Sequence, residues 1–312
     1  MDGRMDKGKT LENIGYLFYK RMYIGKQLLD KTTAGSNNSI TQNNKEYEKI
    51  LNTTVSEYEG KFNDIKYQFP VNVDTKARVL EFHLATTSSG LVIGLGYPHG
   101  LRDKNDFKLG CYFDYTTGLP MIPGSTVKGI LRRPFLEADE KWIGDPELVT
   151  CLFPGDKFRN IDNSTSLTVI KSLEMDIFGP RSDSEDKSQY TKNVYERDIF
   201  FEASIDFNKT DAKTKIFYDD YITPHDNPLE DPKPLRFLKI GPGIVFRFLF
   251  RLSDSKVLYD KGKTFSLTAS EKLVLFKKIL LDYGVGAKTN VGYGVMEDLN
   301  KKATLPSKEQ KQ

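Results

Sequence analysis

Cysteine is scarce: Cys111 and Cys151 are the only two in 312 residues. Two thiols give no disulfide framework and fit a reducing compartment, so a cytoplasmic location is expected. Histidine is nearly as rare. His83, His99 and His225 are the full set, and none stands at zinc-ligand spacing with either cysteine. No metal and no cofactor is expected. Asp219, Asp220 and Asp176 could hold Mg²⁺ in principle, but carboxylates in such settings more often belong to turns and surfaces. The chain lacks an apolar run of about 18 residues and an apolar stretch at its start, so neither a membrane span nor a signal peptide is expected. It also lacks an excess of charge. The net charge is +3, so a nucleic-acid partner must be argued from local patches.

Apolar and aromatic residues are plentiful. Hydrophobic residues make up 38% of the chain, with 20 Phe and 16 Tyr, which excludes a wholly disordered polymer. The length suits one large domain or two small ones. Residues 10–31 place Leu11, Ile14, Leu17, Phe18, Met22, Leu28 and Leu29 at mixed helical spacing, and a helix is predicted there. A polar loop at 32–44 and a weaker helix at 45–58 follow, making residues 1–75 a helical N-terminal extension. Residues 78–85 alternate Leu80, Phe82 and Leu84 with Glu81 and His83, a strand pattern. A glycine-punctuated loop through Gly90, Gly94, Gly96 and Gly100 comes next. Ser125 is expected to N-cap a short helix with Val127, Ile130 and Leu131 inward, and Pro134 to end or kink it.

Residues 139–195 read as an irregular, polar insertion with one hydrophobic segment from Leu167 to Phe178, and 183–188 as a mobile loop. Strands are predicted at 197–205, 215–219 and 234–252. In the last, Phe246, Phe248, Phe250 and Leu252 face one way, and Val245, Arg247, Leu249 and Arg251 the other. Thr268 to Glu271 has the form of a capping box. The helix it opens carries Leu273, Phe276, Leu280 and Tyr283 in one stripe and stops at Gly284. A short strand near 293–296 precedes a disordered tail at 300–312. The main domain is thus expected over 76–299. The order strand, helix, strands, helix, strand predicts an α+β, ferredoxin-like (RRM-like) arrangement.

Two segments stand out chemically. Gly284-Val-Gly-Ala-Lys288-Thr-Asn-Val-Gly292-Tyr-Gly294 packs four glycines around a lysine, where the backbone can adopt positive φ and approach a ligand closely. The second runs from Gly118 to Gly129 and leads into a helix whose first N–H groups and Lys128, Arg132 and Arg133 suit an anion. Together they are expected to form a single cationic cradle for a polynucleotide. A P-loop is not supported: Gly286-Ala-Lys288-Thr289 follows a helix and has the wrong spacing. Metal-free RNA cleavage would need a general base, for which His99 is the best candidate, but no second acid or base stands at a recognisable spacing.

The same segments resemble a known family. Pro120-Met-Ile-Pro123-Gly124-Ser125-Thr-Val-Lys128-Gly129-Ile-Leu-Arg132 is similar to the "PxIPGSSxKGxxR" signature of RAMP proteins, the repeat-associated subunits of CRISPR effector complexes. Gly284 to Gly294 resembles their C-terminal glycine-rich loop, and Asp176-Ile-Phe178-Gly179 their internal "hydrophobic-Phe-Gly" element. Gly94-Leu-Gly96-Tyr-Pro98-His99 and Thr223-Pro224-His225 are similar to elements of the sixth subunit of the type III-B, or Cmr, complex. The resemblance implies a RAMP fold and a non-catalytic, antiviral ribonucleoprotein subunit. Such a subunit caps the filament end that holds the 3′ part of the guide crRNA. The implied partners are guide crRNA, target RNA, the backbone RAMP, the small helical subunit and a second head RAMP. Ser125, Lys128, Arg132, Arg133, Gly284, Gly286, Lys288, Asn290, Gly292, Tyr293 and Gly294 would contact RNA. His99 and His225 would contact RNA or a subunit. The alternative is a RAMP-type, metal-independent endoribonuclease that processes guide precursor RNA.

Overall fold

A computed structural model describes residues 48–58, 77–93, 111–140, 152–155, 157–180, 192, 196–222, 235–260 and 262–300. The predicted helix at 10–31, His99, His225, the 183–188 segment and the tail from residue 301 lie outside the described residues. Of the predicted helix at 45–58, residues 48–51 are helical.

The centre of the fold is an antiparallel sheet built around β1 (Arg78–Thr86) and β7 (Val245–Leu252), which pair along almost their full length from Arg78↔Leu252 to Ala85↔Val245. The neighbour order is β10 (Met296–Asp298), β1, β7, β4 (Ala203–Ile205), β2 (Met121–Ile122), with β3 (Ile199–Phe200) also on β7. The strand predicted at 197–205 is therefore two short strands. The one predicted at 234–252 is also two. Its first part, β6 (Leu235–Ile240), leaves the main sheet to pair with β5 (Phe217–Ile222). A further hairpin, β8 (Ser255–Tyr259) with β9 (Lys263–Leu267), buries alternate residues such as Val257, Phe265 and Leu267, and the sequence reading did not predict it.

Period-two patterning decides which face is buried. Phe82, Leu84, Phe246, Phe248, Phe250 and Leu252 all point into the core, each worth roughly 1.5–3 kcal/mol on burial. The opposite face keeps Glu81, His83 and Arg247 accessible, although Val245 and Leu249 there are also buried.

The helices α1 (Gly124–Glu140), α2 (Asn163–Phe178) and α3 (Ala269–Tyr283) supply the other half of the core. Phe276 of α3 packs on Phe250 and Phe200, and Phe178 of α2 on Phe200 and Phe135 of α1. Three expectations change here. First, α1 runs through Pro134. Proline loses one backbone hydrogen bond, but it is buried beside fully buried Phe135, and tertiary packing outweighs the local penalty. Second, residues 163–178 are not irregular. They form a helix capped by Asp162, whose side chain accepts from the Thr165 N–H, and they bury Val169, Ile170, Leu173, Ile177 and Phe178. Third, the inward stripe of α3 is Leu275, Phe276, Ile279 and Leu280, with Leu273 and Tyr283 at its margin. The capping box at Thr268 and Glu271 is present, and Gly284 ends the helix at φ +72°.

One buried ion pair locks these layers. Lys272 Nζ of α3 lies 2.5 Å from Asp198 Oδ2, both side chains at 0% exposure. Asp198 also accepts from the Ser253 N–H at 2.8 Å. Burial pushes the lysine's pKa down and the aspartate's up, and each partner opposes the shift of the other.

Candidate nucleic-acid interface

The C-terminal glycine loop is pinned from within. Val285 N–H donates to Gly294 O, Ala287 N–H to Val92 O and Gly294 N–H to Gly90 O, each at 2.8 Å. Gly286 and Gly294 have φ of +85° and +71°, and an added Cβ would fall 2.2 Å from Val92 O and 1.8 Å from Val285 O. These glycines are therefore required by the protein's own backbone, before any ligand is considered. The pinning leaves Lys288, Asn290 and Val291 projecting. Lys288 adopts the left-handed region at φ 60°, and its ammonium forms no ion pair among the described residues.

Tyr293 points the other way. Its hydroxyl donates to Asp220 Oδ2 at 2.8 Å, its ring meets Phe237 edge-on at 5.7 Å, and Lys239 Nζ lies 5.3 Å from its centroid. Lys239 also pairs with Asp220 at 2.6 Å. Tyr293 thus ties the loop to β5 and β6. Burial acts to raise the Asp220 pKa, but hydrogen bonds from Lys239, the Tyr221 N–H and Tyr293 hold it below the usual carboxylate range. A depressed carboxylate stabilises the fold above its unfolded pKa, and the contribution is lost as pH falls through the folded value. Tyr293→Phe is accordingly expected to cost about 1 kcal/mol at neutral pH. The difference from the parent should shrink on acidification below the normal aspartate range, as read by urea unfolding across pH.

The upstream loop enters α1 at Gly124, whose added Cβ would fall 2.3 Å from Phe200 O. The Val127 N–H donates to Pro123 O at 3.0 Å, so the cap is Pro123 and Ser125 is an exposed residue of the first turn. That corrects the expected serine cap. Lys128 is half-buried. Burial, then Arg132 and Arg197, push its ammonium pKa down, and no carboxylate pairs with it among the described residues. Arg132, by contrast, donates to Glu174 Oε1 from Nε at 2.7 Å and to Gly179 O at 3.0 Å. It joins α1 to α2, with its charge compensated at 2.7 Å. Arg133 is exposed and lies 5.5 Å from the ring centroid of Tyr283, the last residue before the glycine loop.

Gly124 and the Gly284–Gly294 loop sit at different levels along the sheet. The Gly284–Gly294 loop is bonded to Gly90 and Val92, beyond the Thr86 end of β1. Gly124 abuts Phe200, which pairs with Phe250 and through it lies level with Leu80. Six strand residues separate those levels, about 20 Å, and the loops also lie toward opposite edges of the sheet. Lys128 and Lys288 are thus two separated cationic points, with Arg133 between them along α1, beside Tyr283. Sequence reasoning missed Arg197, Glu174 and Lys239, and the tie of Asp220 to Tyr293, since Glu174 lies 42 residues from Arg132 and Asp220 lies 73 from Tyr293 and no local pattern marks them. The carboxylates considered for Mg²⁺ all meet cations: Asp176 pairs with Lys192, Asp219 with Arg236 and Asp220 with Lys239.

An α+β fold with two glycine-bearing basic loops defines a class, and the comparisons agree with it. The RAMP superfamily model matches residues 84–297, and the chain belongs to that superfamily. Within it, the chain resembles the CRISPR system CMR subunit Cmr6 of Saccharolobus solfataricus, with 28% identity over 227 residues. The match covers 71% of this chain and 58% of that relative, so the chain spans little more than half the length of the relative. Among solved structures, a chain of the type III-B Cmr-beta complex bound to cognate target RNA is 18% identical with a TM-score of 0.47, covering 90% of this chain and 84% of that one. Cmr6 of Pyrococcus furiosus is 21% identical with a TM-score of 0.38, covering 72% of this chain and 99% of that one.

Proposed function

We propose that this chain is a non-catalytic, guide-RNA-binding subunit of a type III-B CRISPR effector, capping the side that holds the 3′ end of the guide in an antiviral, cytoplasmic ribonucleoprotein. Its neighbours there would be the backbone RAMP, the small helical subunit and a second head RAMP. The observation that carries the reading is Lys128, a half-buried cation flanked by Arg132 and Arg197 and lacking a carboxylate of its own among the described residues. Such a group is poised for an external anion. Lys288 offers a second, exposed contact at the far end of the sheet. The superfamily membership and the resemblance to Cmr6 support RNA as the source of the anions. The order β10-β1-β7-β4, wholly antiparallel, with α1 between β1 and β4 in sequence and α3 between β7 and β10, supports the ferredoxin-like reading of the fold.

Backbone contacts of this kind weaken with salt, by about 0.7 in the log–log slope per neutralised phosphate of a single strand. Lys128→Glu and Lys288→Glu should each lower the affinity for single-stranded RNA and flatten that slope, and the double variant should do so additively, with circular dichroism unchanged. Fluorescence anisotropy over a salt series measures this. An unchanged affinity in the double variant would remove the reading.

A further inference from the structure

β1 is paired unevenly on its two sides. β7 covers it from Arg78 to Ala85, whereas β10 meets only Leu84, Ala85 and Thr86. The Thr86 N–H donates to Ile244 O on the β7 side, and the Thr87 N–H to Val295 O on the β10 side. Successive strand residues point their N–H and C=O to opposite sides. Those of Val79, Glu81 and His83 therefore point to the side that β10 leaves bare, with no main-chain partner there among the described residues.

The last residue of β10 explains why it stops short. Asp298 Oδ1 accepts from the Asn300 N–H at 3.1 Å, and Asp298 Oδ2 holds Lys277 Nζ of α3 at 2.7 Å. The chain turns at Leu299 and Asn300 instead of continuing along β1. Beside the bare edge lies a groove of about 510 Å³. Leu273, Val274 and Lys277 of α3 line one wall, residues 81–83 of β1 line the other, and Leu299 and Asn300 lie at the β10 end. Val274 is 54% exposed and Leu299 44%. The lysines of the groove are engaged, Lys277 by Asp298 and Lys209 by His83 Nδ1 at 2.8 Å.

A bare strand edge beside a helix is a template for an added strand. The pleat dictates what that strand must carry. Its residues opposite Leu80 and Phe82 would lie on the helix side of the sheet, against Leu273 and Val274, and should be apolar. Its residue opposite Glu81 would lie on the other face. Glu81 Oε2 accepts from Arg247 Nε at 2.7 Å and meets a terminal nitrogen of the same guanidinium at 2.5 Å, while Oε1 has no partner among the described residues. That oxygen suits a cation. A second copy fits poorly, because pairing along the whole edge would set Glu81 opposite its own equivalent, and like charges directly opposite destabilise a sheet. RNA brings neither a ladder of amides nor aliphatic side chains.

We propose that the edge of β1 from Val79 to His83 takes an extended segment of another protein chain as a further strand of the sheet. That segment is apolar at alternate positions, with a lysine or arginine between them. The inference goes beyond the RNA-binding reading and does not depend on it.

The test uses a synthetic peptide, acetyl-Thr-Val-Lys-Val-Thr-amide, and reads hydrogen exchange of the full chain at single-amide resolution. In the free chain the amides of Val79, Glu81 and His83 should exchange much faster than those of Leu80 and Phe82, which β7 protects. The peptide at millimolar concentration should slow the first three. N-methylation of its lysine, which would sit opposite Glu81, should abolish that protection. Val274→Asp should weaken peptide binding about tenfold through lost apolar contact. Glu81→Gln, which can still accept from Arg247, should weaken it about two- to fivefold and leave a glutamine-for-lysine peptide unaffected. If Val79, Glu81 and His83 already exchange as slowly as Leu80 and Phe82, the chain covers its own edge and the proposal is overturned. Protection that grows with protein concentration alone would assign the edge to a second copy, and protection by single-stranded RNA would assign it to nucleic acid. Either result overturns it, as does a methylated peptide that protects equally or a parent peptide without effect. RNA affinity in Lys128→Glu and Lys288→Glu is measured separately, so the two readings fail independently.

Discussion

Lys272→Ala is expected to destabilise the fold by about 3–5 kcal/mol, the usual cost of leaving one member of a buried ion pair unpaired. Asp198 would then face the core with Ser253 as its hydrogen-bond partner among the described residues. At roughly 2–4 °C per kcal/mol for a domain of this size, the melting temperature should drop by about 6–20 °C. Asp198→Ala should act similarly, by stranding the ammonium. The double variant Lys272→Met, Asp198→Leu should recover much of the loss, since a buried pair replaced together by apolar groups is often neutral or better. Urea unfolding of the parent, Lys272→Met, Asp198→Leu and their double variant closes the cycle. Additive losses in the double variant would show that the two residues do not act as a pair. The pair also has a positional role. It joins the start of β3 and the end of β7 to the first turns of α3, which sets where α3 ends and the glycine loop begins.

Gly294→Ala is expected to break that loop. The new methyl would need to occupy space 1.8 Å from Val285 O, at a φ of +71°. Relieving the clash would sacrifice the bonds from Val285 N–H to Gly294 O and from Gly294 N–H to Gly90 O. Overpacking against immobile backbone costs about 1–3 kcal/mol, and the positive φ adds about 1 kcal/mol or more. Gly129→Ala is the informative control. It is exposed within α1, and its added Cβ would meet nothing within 4 Å. Alanine there should raise stability by about 0.5–1 kcal/mol through helix propensity alone. If Gly129→Ala is more stable but binds RNA more weakly, the methyl occupies room that the ligand needs. Thermal melts and RNA anisotropy on the same samples separate the two effects.

The readable features were those whose cause is local. The alternation in β1 and β7 identified the core face because strand side chains alternate regardless of what packs on them. The capping box at Thr268 and Glu271 is a contact across three residues, complete within its own segment. Glycine clustering between 284 and 294 correctly marked tight backbone, but not what the backbone was tight against. Pro134 misled, because the propensity rule considers one lost hydrogen bond and not the packing of its buried neighbours. The 163–178 helix was hidden by a polar start, Asn163 to Ser166, before its apolar period begins. Arg132 looked like a free cation for the same reason that Lys128 did, since both lie on one face of α1. Only Glu174, on another helix, distinguishes them.

The sequence by itself determined the family, the burial face of the central strands and the positions where the backbone must turn with positive φ. Each of these follows from neighbours along the chain. Tertiary structure alone decided that Gly124 lies level with Leu80 while the Gly284–Gly294 loop lies beyond Thr86, that Tyr293 faces inward and Lys288 outward, and that Lys272 meets Asp198. Those outcomes depend on groups 73 or 74 residues apart or on strand order, and electrostatic pairing acts through space, where no pattern of adjacent residues records it.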